Sequence, residues 1–117
     1  MPLVETNERF ARALREMRSR DPLHREDGFD FLREHADSFV DELIAEFAAE
    51  RDDHGLRCWL LELVAEARSP HALALLASQL QVEDESLRFW AVRGLEMLDT
   101  REAREELYRA KANGWIV

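Results

Sequence analysis

The stretch Asp53-His54-Gly55-Leu56-Arg57-Cys58-Trp59 returns 31 residues later as Asp84-Glu85-Ser86-Leu87-Arg88-Phe89-Trp90. Both copies set an Asp four residues before an Arg and close on a Trp. The same shift aligns Ala72 and Leu76 with Ala103 and Leu107, and Ser69 with Thr100. A weaker copy lies 32 residues upstream, where Asp21 and Arg25 match Asp53 and Arg57. There Asp37, Val40, Leu43 and Ile44 stand in the places of Ser69, Ala72, Leu75 and Leu76. Self-similarity at a fixed period of this length marks a row of supersecondary units, each burying its apolar face against the next.

Each unit reads as two helices. Leu56, Leu60, Leu63, Val64 and Ala67 share one helical face, after which Ser69-Pro70 supplies a cap and a first-turn proline. Ala72, Leu75, Leu76 and Leu80 form the next stripe. The third unit repeats the plan with Leu87, Ala91, Leu95 and Leu98, then Thr100 as cap, then Ala103 and Leu107. In the first unit Asp21-Pro22 opens a helix carrying Gly28, Phe31 and Leu32, and Asp37 is expected to open its partner with Val40, Leu43, Ile44 and Phe47. An amphipathic helix near Asn7–Ser19 precedes them, with Phe10, Leu14 and Met17 inward. Asn113-Gly114 is a helix stop. The expectation is one all-α domain over residues 1–117: a capping helix at 5–20, units at 21–52, 53–83 and 84–113, and an apolar tail at 114–117. Trp59 and Trp90, beside the main stripes, widen the apolar surface of helices held between neighbours.

This recurring Asp, Leu or His, Arg, apolar helix, cap and Leu-rich second helix resembles the short HEAT repeats, over roughly Asp21 to Lys111. Tetratricopeptide repeats have a similar length, but their Trp, Gly-Tyr and Pro landmarks are absent. The resemblance implies a short right-handed α-α superhelix of about seven helices. It also implies a ladder of side chains between stacked units, here Asp21, Arg25, Asp53, Arg57, Asp84 and Arg88. The first unit departs from the pattern in having His24 before its Arg and Gly28 in mid-helix.

Composition narrows the function. The chain has 117 residues, a net charge of −9, 4 Gly and 3 Pro, which leaves little material for loops. An acidic chain does not suit a surface that tracks phosphates with clustered Lys and Arg. Cys58 is the single cysteine, so neither a disulfide framework nor a multi-thiolate zinc site is expected. The N-terminal MPLVETNERF lacks a basic segment followed by an apolar one, and no apolar run approaches the roughly 20 residues of a membrane span. The expectation is a cytoplasmic protein, bound to neither membrane nor nucleic acid. Its basic residues are Arg with the one exception of Lys111, as in GC-rich bacterial genomes.

Catalytic chemistry finds no support in the sequence. His24 and His35 fall on an apolar face and read as packing histidines. His54 and His71 sit at helix starts, and no second His is spaced to complete a metal site with His54. The His-Glu dipeptides of HEAT-like di-iron enzymes are absent. Cys58, matched by Phe89, reads as a buried and inert thiol. No phosphate loop or nucleophile elbow is present. The chain is therefore expected to be no enzyme and to need no cofactor or metal.

Charge placement says more. Residues 26–55 hold 11 acidic side chains against Arg33 and Arg51, so the whole net charge falls in or beside the first unit. Second helices of stacked units commonly line the concave, binding side. The expected contact residues are thus Asp41, Glu42, Glu46 and Glu50, with His71, Ser78, Arg104 and Tyr108 on later second helices. The expected partner is another protein with a basic surface, and an immunity-type inhibitor of a nuclease-like bacterial toxin is one concrete form. Two alternatives follow from the resemblance. An accessory to a cofactor-attachment or lyase system requires an apolar ligand groove, and a glycosylase-like enzyme requires a basic concave face. The Arg-rich first helix is the rival claimant on the acidic unit. The tail Trp115-Ile116-Val117 is expected to cover the last unit, or else to mediate self-association through Trp115.

Overall fold

Four of the described α-helix starts are set by short polar side chains. The computed structural model describes residues 2–117, with side chains from Glu8 onward. Within them lie seven α-helices: α1 (Pro2–Met17), α2 (Pro22–Glu34), α3 (Val40–Ala49), α4 (His54–Glu66), α5 (Leu73–Ser78), α6 (Glu85–Leu98) and α7 (Arg101–Ala112). Asp21 accepts from the Leu23 N–H at 2.9 Å, Asp53 from Leu56 at 3.0 Å, Asp84 from Leu87 at 2.9 Å and Thr100 from Ala103 at 3.1 Å. Each satisfies a backbone donor that the first turn leaves free. The fold is all-α, as expected.

The helical tracks expected at 37–50 and 69–80 are more broken. Asp37 lies inside a short 3-10 turn, Ala36–Ser38, and does not cap α3. The start of α3 is set instead by buried Phe39, which has no side-chain cap and packs its ring 5.5 Å from Phe10 and 6.2 Å from Phe31. In the middle unit, Ser69 accepts from His71 at 3.2 Å, and the chain runs as 3-10 turn, α5, 3-10 turn from Pro70 to Gln81.

The Arg of each opening pattern does a different job from the one expected. Arg25 Nη1 donates to the carbonyls of Ser19 and Arg20 at 3.1 and 3.2 Å. Arg57 donates to those of Phe47 (3.1 Å) and Glu50, and Arg88 to those of Val82 and Glu83, both at 2.6 Å. Arg104, four residues after Thr100, donates to the Asp99 carbonyl at 2.9 Å. The expected ladder of Asp21, Asp53 and Asp84 with Arg25, Arg57 and Arg88 is thus not formed among the described residues. Each Asp caps its own helix, and each guanidinium takes carbonyls of the segment just before it. Those carbonyls lie at or beyond helix C-termini, where they lack intrahelical donors and favour a cation.

Packing orders the helices. α1 lies along α2, α3 against α4, α4 along α6, and α5, α6 and α7 against one another. The molecule measures 45 × 30 × 20 Å. α4 is its most enclosed element: Leu60, Leu61, Leu63, Val64 and Ala65 are all buried, more of its circumference than one stripe would cover. Trp59 reaches from α4 to Phe29 on α2, with ring centroids 4.8 Å apart. Trp90 instead meets its own neighbour Phe89 edge-on at 5.0 Å, so the two indoles have different aromatic partners.

Two glycines permit close approach. A Cβ on Gly28 would stand 2.9 Å from Met17 N and collide with the Ala13 carbonyl oxygen, so glycine lets α1 lie against α2. A Cβ on Gly94 would meet Leu76 and Ala65 at 2.9–3.0 Å, where α4, α5 and α6 converge. At the far end the chain turns at Gly114 (φ +76°), and Trp115 N–H donates to the Ala110 carbonyl at 2.9 Å. Trp115 and Ile116 then pack against the core, which engages within the chain the indole considered for self-association.

Candidate functional site

Of the acidic residues expected on the second helix of the first unit, three are engaged internally. Arg18, at the end of α1, lies 2.7 Å from Glu50 and 3.6 Å from Glu46. Glu50 also accepts the backbone N–H groups of Asp52 and Asp53 at 3.1 and 3.0 Å. Those amides, with the Arg18 guanidinium, hold its carboxyl at a pKa of about 2 against an ordinary 4.5. Glu50 is a structural cap with a side chain only 12% exposed, which corrects its expected role as a free contact residue. Asp41 faces His71 Nδ1 at 3.1 Å, and Glu42 is half-buried without an ion pair among the described residues.

Four open carboxylates stand together on α2. Glu26, Asp27, Asp30 and Glu34 are exposed, and none has a cationic partner within ion-pair distance among the described residues. At about 100° per residue they lie on the side of α2 opposite buried Gly28 and Leu32. Leu23, at the head of the same face, is 69% exposed. The acidic segment found by counting thus divides between residues of α3 and its end that have internal partners and exposed residues of α2 without ion pairs among the described residues.

The contacts expected further along are dispersed. His71 is exposed but paired with Asp41, and the Ser78 hydroxyl donates to the Leu75 carbonyl at 2.6 Å within its own helix. Arg104 is held by Asp99. Tyr108, 76% exposed, borders a hollow of about 520 Å³ with Arg101, Arg104 and Arg109 on α7. Of these four, only His71 reaches one of the expected acidic residues by a hydrogen bond or ion pair among the described residues.

The histidines also differ from expectation. His35 is a packing histidine as read, its Nδ1 2.9 Å from the Phe31 carbonyl and its ring stacked 4.5 Å from Phe31. His24 is exposed, 3.8 Å from Asp21, because it precedes the first buried position of α2.

A second cluster escaped the sequence reading. His54 Nε2 is hydrogen-bonded to Asp84 Oδ2, and Cys58 Sγ lies 3.7 Å from the same nitrogen. All three ligand-type atoms fall within 4.8 Å of one another. His54 and Cys58 are one turn apart on α4, and Asp84 is the residue that caps neighbouring α6. Cys58 is half-buried at this surface rather than enclosed, which corrects the expected burial of its thiol. Partial desolvation raises its thiol pKa, the Asp84 carboxylate adds to the rise, and Arg57 opposes it. The signal available was the 31-residue register itself, since stacking α4 beside α6 brings the Asp of one unit to the helix start of the unit before.

Both cross-unit contacts of this kind are His–Asp pairs 30 residues apart, His54 with Asp84 and His71 with Asp41. No described helix is long and apolar enough to cross a membrane. No family model, curated protein or solved structure matches this chain.

Proposed function

We propose that this chain is a HEAT-like, non-catalytic docking module that captures a protein with a basic surface on the outer face of α2. The observation that carries this reading is the open stripe of Glu26, Asp27, Asp30 and Glu34, headed by exposed Leu23. Carboxylates that are not spent on internal partners project a field that speeds encounter with a cationic surface, and an apolar anchor at the edge prolongs it. Glu46 and Glu50 sit under Arg18 and belong to the scaffold. An immunity-type inhibitor of a basic toxin is one concrete form of the module, by analogy only.

The test is binding of a labelled Arg-rich peptide, followed by fluorescence anisotropy across a salt series. Asp27→Lys with Asp30→Lys is expected to weaken binding at least tenfold, and Leu23→Ser several-fold. Glu102→Lys with Glu105→Lys makes the same charge change on α7 and is expected to have much less effect. Equal losses from the two double variants would leave only a net-charge effect and overturn the reading.

A further inference from the structure

We propose that His54, Cys58 and Asp84 form a binding site for a divalent transition-metal ion of the zinc class, which fastens the start of α4 to the start of α6. The inference is independent of the docking reading. It rests on donor chemistry, separation and placement.

The donors suit such an ion. Zinc favours thiolate, imidazole and carboxylate together in a four-coordinate arrangement, at about 2.3 Å for sulfur and about 2.0–2.2 Å for nitrogen and oxygen. Tetrahedral angles on those bonds put sulfur and nitrogen about 3.6 Å apart. Cys58 Sγ and His54 Nε2 are 3.7 Å apart. The His54–Asp84 pair now shares a hydrogen bond, and exchanging its proton for a cation widens that edge to about 3.3 Å by the same geometry. The side chains of His54 and Asp84 are 60% and 31% exposed, so small rotations meet no packed wall.

The scaffold limits how far the donors must be ordered. His54 and Cys58 stand at i and i+4, stacked on one face of α4. Asp84 Oδ1 is already held by the Leu87 N–H at 2.9 Å, which leaves Oδ2 turned toward His54. Binding replaces the Cys58 S–H bond with a metal–sulfur bond and releases the thiol proton to solvent. It also places the imidazole proton on Nδ1, because Nε2 becomes the donor. One thiolate and one carboxylate neutralise the dication formally, and three protein ligands leave a fourth position for water. Hard cations such as Mg²⁺ and Ca²⁺, which prefer all-oxygen shells, are not accommodated by this set.

The experiment titrates the full-length reduced protein with Co(II) as a spectroscopic stand-in, followed by competition with Zn(II). The expected result is one Co(II) per chain, a near-ultraviolet thiolate-to-cobalt charge-transfer band, and displacement by equimolar Zn(II). Cys58→Ser is expected to abolish the band, and His54→Ala and Asp84→Asn each to weaken binding at least tenfold. Asn retains the helix cap at position 84, so a loss there reports ligation rather than misfolding. Zn(II) is also expected to raise the melting temperature of the parent protein but not of Cys58→Ser. Three outcomes overturn the proposal: no charge-transfer band at equimolar metal, a band indifferent to both His54→Ala and Asp84→Asn, or one metal shared by two chains through paired Cys58 thiols.

Discussion

Arg18 and Glu50 lie 32 residues apart in the sequence and 2.7 Å apart in space. The pair ties the end of α1 to the residue that closes α3, while the same carboxylate gathers two amides of the turn leading into α4. Part of the acidic charge is thereby consumed in joining three helices, while the four carboxylates of α2 stay outside that network.

Glu50 makes stability depend on acidity. Its folded pKa of about 2 lies below the ordinary 4.5, so its contribution is complete above pH 4.5 and disappears as pH falls from there toward 2. Glu50→Gln is expected to lower the melting temperature at pH 7, with the gap to the parent closing across that window. A gap constant with pH would mean that the carboxylate charge is not what holds the turn.

Glu62 has the opposite sign. It is half-buried on α4, and desolvation raises its pKa, while Arg33 pulls it down and Glu66 adds to the rise. The charged form is therefore disfavoured in the fold, and stability falls as pH rises through 4.5 and on through the raised value. Glu62→Gln is expected to raise the melting temperature at pH 7 and to lose that advantage in acid. Chemical denaturation at several pH values measures both Glu variants side by side.

Gly28→Ala tests the α1–α2 contact. The added methyl meets backbone atoms of Ala13 and Met17, which cannot rotate away, so a loss of about 1–3 kcal/mol is expected. Gly55→Ala is the control. Its nearest neighbour is Asp53 Oδ1 at 3.7 Å, and it is expected to be neutral or to gain about 0.5 kcal/mol through lower unfolded-state entropy.

Arg57→Lys keeps the charge and loses the fork. The guanidinium spans two carbonyls and stands 4.2 Å over the Phe47 ring, a combination a single ammonium cannot reproduce. A loss of about 1–2 kcal/mol in urea unfolding is expected. Hydrogen exchange at the end of α3 is expected to speed up in parallel.

The helices and most of their caps were legible because apolar spacing and Asp, Ser or Thr before a stripe report local geometry. Phe39 shows where that ended. Its burial against Phe10 and Phe31 sets the start of α3, and a contact across 29 residues leaves no trace in local pattern. The repeated Arg is legible, but its carbonyl partners are not, since a sequence displays carboxylates and hides carbonyls. The acidic segment was found by counting, whereas its division between Arg18-bound and open residues needed the path of α1. His54, Cys58 and Asp84 were each named in the sequence, but the helix packing that joins them could not be read from spacing within one unit.

The grip of Arg25, Arg57 and Arg88 falls on main-chain oxygens, which every amino acid carries alike. That grip by itself asks nothing of the side chains in the segments held; where their identity counts, as at Phe47 and Glu50, other contacts set it. A connector residue with no other contact could therefore be exchanged without loosening the clasp on the helix that follows.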